Sequence, residues 1–394
     1  MSTRSPVADW TSDFDHLDPA WVEDPHPIWG DLRQACPIAH TDRFGGVYFP
    51  SRYEDIRAVA YDTEHFSSRR GMVREGPPTI IATPPVTSDP PQHQAHRKVL
   101  LPAFTPDAAA RVEPQTRRIC RELIERLSGK SACDGASDYA QKIPVRVTAA
   151  LLGISEPAGD LFRRWISEFF ELGVTDPTVA VRVVAEIRAF FGDEIAARRT
   201  ALSNDLISYL LDAEIDGRKL SDDHIQGTLR LLLFAGIDTT WSAIGACLWH
   251  LATNEDDRKR LVADPALIPT AVEELLRAYA AATVAREIVK ETDIGGCPVK
   301  TGKMVLLSFP AANRDPAMFA DAGRVIIDRN PNRHVAFGLG IHRCIGSHLA
   351  RMEMTVALQE WLARIPEFRL AQGAVVTWSK GAVRGPRRLP LVLS

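Results

Sequence analysis

The chain has 394 residues, 45% hydrophobic and 25% charged, which are the proportions of a folded, water-soluble protein and not of a disordered one. Its 47 basic and 50 acidic residues leave a formal charge of −3, so nucleic acid or another polyanion is not an expected partner. The six cysteines (Cys36, Cys120, Cys133, Cys247, Cys297, Cys344) are scattered without a Cys-x-x-Cys pair, which argues against a disulfide framework or structural zinc and fits a reducing cytoplasm.

Met1 to Asp31 is polar and acidic, with no basic stretch followed by an apolar one, and reads as no leader peptide. From about 25 to 91 the chain is rich in Pro, Gly, Asp and Thr, with β-like runs such as Gly46-Val47-Tyr48-Phe49. That pattern predicts short helices, a small sheet and a long loop from Gly71 to Pro91. Helical periodicity then dominates, near 107–128, 138–152, 158–173, 178–199, 221–253 and 267–280. After Arg286 strand and loop signals return. One more helix follows, with Ile345, Leu349, Met352 and Val356 on one face, ending before Pro366. The length alone would allow two or three domains, but no linker separates these parts. The expectation is one mainly α domain with a minor β portion, β-rich at about 25–90 and 283–340 and helical at about 93–280 and 345–365. The longest apolar stretch, Leu229 to Ile237, is interrupted by Arg230 and falls short of the ~20 residues of a membrane span, so no span is expected.

The segment from Ser221 to Thr253 reads as a helix of about 45–50 Å, long enough to cross the whole molecule. Its start, Ser221-Asp222-Asp223, is a good N-cap with acids in the first turn. Its later part is apolar nearly all round, the mark of a helix buried through a core. Inside it stands Ala235-Gly236-Ile237-Asp238-Thr239-Thr240. Gly236 weakens a helix by about 1 kcal/mol relative to Ala, Asp238 carries a charge into apolar surroundings, and Thr239 can divert the i−4 carbonyl. One reading is a kink with a satisfied acid. The other is a widened groove for a ligand, with an acid and a hydroxyl placed to move protons.

The densest motif is Phe337-Gly338-Leu339-Gly340-Ile341-His342-Arg343-Cys344-Ile345-Gly346, leading into a helix. A helix N-terminus, Arg343 and His342 all favour a thiolate at Cys344. The glycines allow backbone to approach a flat partner. A buried structural thiol or a phosphate-cradling loop would not require this set of residues at this spacing.

The order Phe-x-x-Gly-x-His-Arg-Cys-x-Gly resembles the haem-ligand loop of the cytochromes P-450, the haem-thiolate monooxygenases. Other segments match in the right order. Glu274-Leu275-Leu276-Arg277, which alone would read as a surface ion pair, lies 67 residues before Cys344 and resembles the family's buried Glu–Arg pair. Arg329, in Asp328-Arg329-Asn330-Pro331-Asn332, looks like its third member. The segment 235–240 resembles the oxygen-activation motif. The similarity extends to Pro90-Pro91-Gln92-His93, to Arg286 and to the tail from Gly381 to Leu391, covering nearly the whole chain.

The resemblance implies a cytochrome P-450 fold with a long central helix over haem b (iron protoporphyrin IX), whose iron is ligated by Cys344. Phe337 and Gly338 would flank the cofactor, and His93, Arg97, Arg286 and His342 would donate to its propionates. Thr239 is the expected hydroxyl and Asp238 the expected proton relay of oxygen activation. Leu231, Phe234, Ala235, Ala282 and Val383 would line the substrate pocket, under a lid from Gly71–Pro85 and from the aromatics Phe162, Trp165, Phe169, Phe170, Phe190 and Phe191. A small hydrophobic substrate, O2, and electrons from a separate ferredoxin and ferredoxin reductase are implied, because the 50 residues after Cys344 are too few for a redox domain. Lys98 and Arg343 are the candidate docking bases. A peroxide-driven peroxygenase and a non-catalytic haem-thiolate sensor are the alternatives.

Overall fold

A computed structural model describes residues 5–75 and 81–393. Part of the expected lid loop, residues 76–80, lies outside the described residues. The chain is mainly α-helical, with its strands gathered at two places. Five strands, β1 (Ile38–Thr41), β2 (Val47–Pro50), β3 (Phe66–Ser67), β4 (Thr283–Ile288) and β5 (Met304–Ser308), form a sheet in the order β1-β2-β5-β4-β3. Only the β2–β5 pair is parallel. The segments before and after the helical region therefore meet in one sheet. Its register sets Arg286 opposite Val305 and Val284 opposite Leu307. Near the C-terminus Pro390–Leu393 pairs with both Phe368–Leu370 and Ala132–Asp134.

The central helix runs unbroken from Asp222 to Thr253. Ser221 caps it, accepting the N–H of His224 at 3.2 Å, and Asp222 and Asp223 complement the positive end. It is the one helix among the described residues long and apolar enough to cross a membrane, yet most of that apolar stretch is buried inside the protein. Gly236 does not interrupt it, because helices pack on almost every face and propensity is overridden by burial.

The helix belongs to two cores. Its second half, from Trp241 to Ala252, packs with the helices Pro106–Glu125, Ile268–Ala278 and Ser347–Arg364. Its first half, from Ile225 to Ile237, packs with Lys142–Leu151, Gly159–Ser167 and Pro177–Thr200. The changeover falls at residues 238–240, the polar stretch of the motif. At that seam the two cores stand apart, and a cavity opens between them.

The helical segments predicted from periodicity are present within a few residues. The stretch 138–152 is divided into a wide π-helical turn (Gly135–Ala140) and a regular helix (Lys142–Leu151), and 158–173 ends in a second such turn, Glu168–Leu172. The helix Gln92–Leu100 carries His93 and Arg97 one turn apart, as their i,i+4 spacing predicts, whereas Glu255–Ala263 is a helix that the periodicity did not separate. The latter is short and polar, so its apolar periodicity is weak.

Candidate active site

The cavity encloses about 870 Å3. Cys344 stands on one side of it, Thr239 and Ala235 on another, and Phe337, Gly338, His93, Arg97, Arg286 and His342 around the rim of the cysteine loop. All five expected pocket residues, Leu231, Phe234, Ala235, Ala282 and Val383, line it as well. Ala282 and Val383 are brought together by a bridge between the segment before β4 and the C-terminal turn.

The loop is shaped by its own hydrogen bonds. The Cys344 N–H donates to the Phe337 carbonyl at 2.7 Å, folding the ten-residue motif back on itself. Cys344 is exposed, but its exposure is to the cavity. Burial pushes its thiol up, while the Gly346 amide and then Arg97, Arg343 and Arg351 act in the opposite sense. These donors and cations favour the thiolate that an iron ligand must be. The helix that follows starts at Ser347, so its N-terminal amides lie just beyond the sulfur.

One expectation about this loop is corrected. Gly340 does not face a flat ligand. It has φ +65°, and a Cβ there would sit 2.5 Å from the Ala60 carbonyl oxygen. Its role is to let the loop lie against the end of the helix Tyr53–Tyr61. Gly338, with φ +72°, does line the cavity.

The cationic rim fits a group with two carboxylates. Arg286 is buried, and among the described residues its guanidinium bonds only to the Ala285 carbonyl at 2.8 Å. Burial lowers its pKa to about 10, offset partly by Asp89. The Arg97 guanidinium makes no hydrogen bond or ion pair among the described residues. His93 is 3% exposed, and its Nε2 has no hydrogen-bond partner among the described residues. His342 lies edge-on to His93 with ring centroids 4.3 Å apart, and its Nε2 meets the Ser68 hydroxyl at 2.8 Å. Burial, followed by Arg286, His93 and Arg97, pushes His342 down to about 2. Burial and the same kind of neighbours lower His93. Both shifts favour the neutral imidazole, which leaves the positive charge of this rim to the two arginines. Uncompensated cations and an orphaned nitrogen around one cavity call for an anionic ligand. The two propionates of a haem would meet that need, and Cys344 would be the residue to hold its iron.

Thr239 donates its hydroxyl proton to the Ala235 carbonyl at 2.6 Å, leaving the oxygen's lone pairs as acceptors toward the cavity. Asp238 points elsewhere and does not line the cavity. Its side chain is wholly buried and meets the Arg387 guanidinium at 2.7 Å, without an aligned hydrogen bond to either oxygen. Burial raises its pKa to about 6, against the pull of Arg387. Arg387 in turn reaches the half-exposed Glu171 at 2.5 Å and the Ser242 hydroxyl at 3.1 Å, and lies over the Trp241 ring. A chain of charged groups therefore runs from the surface to the residue beside Thr239. Arg387 and Glu171 were missed in the sequence, since neither sits in a motif and they lie 149 and 67 positions from Asp238.

Away from the cavity, Glu274 and Arg277 form a fully buried bidentate pair, both bonds 2.8 Å. Arg329 joins at 3.0 Å and Asn332 at 3.1 Å, and the Ile326 amide donates to the same carboxylate at 2.9 Å. Arg277 also holds the carbonyls of Asn313, Ala322 and Arg324. The trio ties the loop leading to Cys344 to the helix Ile268–Ala278.

Of the expected lid aromatics, Phe169 and Phe170 line the cavity, and Phe169 stacks on Phe234 at 4.1 Å. Phe162, Trp165, Phe190 and Phe191 instead form a cluster of their own behind it. Helical periodicity turns them toward that neighbouring core.

Comparison with known proteins agrees with this geometry. A model of the family Cytochrome P450 matches residues 178–370. The mycinamicin IV hydroxylase/epoxidase of Micromonospora griseorubida is 34% identical, over 92% of this chain and 94% of that protein. A steroid C26-monooxygenase of Mycobacterium tuberculosis is 30% identical, over 89% of this chain and 95% of that protein. The crystal structure of CYP101J2 superposes with a TM-score of 0.88 at 29% identity, covering all of both chains. Cysteine loop, central helix and buried Glu–Arg trio sit in a fold and a sequence shared with these proteins, and the chain belongs to the cytochrome P450 family of monooxygenases.

Proposed function

We propose that the chain is a single haem-thiolate unit, working in the cytoplasm, that inserts one atom of O2 into a largely apolar organic substrate by hydroxylation or a related oxidation such as O-dealkylation. Electrons come from a separate ferredoxin and ferredoxin reductase. The observation that carries the reading is Cys344 opening into an apolar cavity whose rim holds Arg97 and Arg286 without an anion. Haem b bound there supplies reductive O2 activation, which thiolate ligation favours.

The chain's own residues do the rest. Arg97, Arg286, His93 and His342 hold the propionates by hydrogen bonds, the two arginines charge-assisted. Phe337 and Gly338 bound the cofactor beside Cys344. Ala235, with its small side chain, keeps space open next to Thr239, and Phe234, Leu231, Ala282 and Val383 exclude water around the substrate. Thr239 holds a water or another proton donor on its free lone pairs. Asp238, with a pKa near neutrality, exchanges protons between the Arg387–Glu171 chain and the interior. Exposed Lys98 and Arg343 give an acidic ferredoxin a place to dock near the cysteine loop.

Thr239→Ala tests this directly. With ferredoxin, reductase and O2 the variant should still consume reductant but form less product and release more peroxide. Equal coupling in variant and wild type would remove Thr239 from the mechanism. Full turnover by the wild type on peroxide alone, with none on ferredoxin, would turn the reading into a peroxygenase.

A further inference from the structure

The arginines that line the cavity sort themselves by what they are paired with. Arg69, Arg70 and Arg188 have carboxylates: Asp89 at 3.7 Å, Glu287 at 3.2 Å and Asp223 at 2.7 Å. Arg97 and Arg286 stand by the cysteine loop and are accounted for by the cofactor. Arg74 and Arg230 remain, and neither has an acid partner among the described residues.

Arg230 is the more demanding case. It is 8% exposed, in the first half of the buried central helix. One of its terminal nitrogens donates to the Ala82 carbonyl, and its buried Nε has no partner. Burial and the nearby Arg188 both act to lower its pKa. Arg74 lies over the Phe169 ring at 4.0 Å and otherwise reaches only the Gly173 carbonyl and the Met72 sulfur, each at 3.5 Å. Burial holds its pKa down to about 10, with no carboxylate opposing it.

Both line the same cavity, linked through two stacked rings. Phe169, beneath Arg74, stacks on Phe234, and Phe234 is one helical turn from Arg230 on the same face. Thr239 is nine residues from Arg230, about 13 Å along the helix. The cavity thus holds Arg74 and Arg230 apart from the cations of the cysteine loop; of its two lining acids, Asp223 pairs with Arg188 and Glu75 forms no ion pair with either arginine among the described residues. A buried guanidinium with an unused donor is costly unless an anion completes it. The same site discriminates strongly against a neutral analogue that leaves it unpaired.

We propose that the natural substrate is an apolar molecule ending in an oxyanion, carboxylate or phosphate, held by Arg74 and Arg230 while its apolar body extends toward Thr239. This rests on the monooxygenase reading and names its substrate class.

The test is titration of the ferric holoenzyme, read by the low- to high-spin shift and by calorimetry. The probes are dodecanoate, dodecyl phosphate and methyl dodecanoate, and 4-butylbenzoate with its methyl ester. At least one anion should bind about tenfold or more tightly than its neutral match. The tighter of dodecanoate and dodecyl phosphate identifies the head group. Arg230→Gln and Arg74→Gln should each bring the ratio below about threefold while leaving the reduced carbonyl spectrum thiolate-like. Arg74 lies outside the central helix, so its variant stays informative if Arg230→Gln does not fold. The proposal is overturned if no anion outbinds its neutral match, or if the preference survives both glutamines. A wild-type carbonyl spectrum of the histidine-ligated kind would strike the haem-thiolate reading instead, so the two failures are distinguishable.

Discussion

At the scale of single residues, the site separates two tasks that adjacent positions could be thought to share. Thr239 faces the cavity, whereas Asp238 faces Arg387 on the opposite side of the same helix. Consecutive helical residues point about 100° apart, so one turn serves both the reacting space and the route to solvent. The pKa of Asp238, raised to about 6 chiefly by burial, gives a signed prediction. The protonated acid is the donor, so proton-limited turnover should fall as pH rises through about 6. Asp238→Asn should lower turnover and abolish that inflection. A pH–rate profile of unchanged shape in the variant would remove Asp238 from the relay. The identity of this pair was readable from the sequence because both residues sit in one motif. Arg387 and Glu171 were not, because only packing brings distant segments together.

Among the secondary-structure elements, the central helix and the C-terminal turn approach each other closely at Gly385. A Cβ on Gly385 would lie 2.5 Å from Ser242 Cα and 2.2 Å from its Cβ. That contact places Arg387 beside Asp238. Gly385→Ala must therefore move one element from the other, at a cost of about 3 kcal/mol. A lowered melting temperature together with weakened proton relay is expected, and unchanged values for both would contradict this account of the packing. The long helices were legible because their apolar periodicity runs over many turns. The central helix was even legible as buried, being apolar nearly all round. Of the sheet, the runs that form β2, β4 and β5 were legible, but β3 and the pairing were not, since β3 has two residues and its partner β4 is more than two hundred positions away. Gly340 teaches the same lesson, for the sequence announced a close approach but not that its partner is the Ala60 carbonyl.

For the whole molecule, two cores joined by one helix leave the cavity at their seam, and the cysteine loop seals one side of it. The Glu274–Arg277–Arg329 trio buttresses that loop. Opening a buried pair of this kind costs about 3–5 kcal/mol, which explains why the resemblance of these residues to a family pattern carried so much of the fold. On the proposed supply of electrons by a separate ferredoxin, surface charge sets the rate of reduction. Arg343→Glu and Lys98→Glu should slow reduction by ferredoxin at low salt, with the difference shrinking at an ionic strength where charges beyond about 8 Å are screened. Stopped-flow reduction rates that match the wild type at every salt concentration would place the dock elsewhere. Everything in this arrangement depends on the sulfur of Cys344, and the absorption spectrum of the reduced carbonyl adduct reads its state directly. A thiolate-type adduct is the predicted result, while an imidazole-type adduct like that of a globin, or purified protein that takes up no haem, would contradict it.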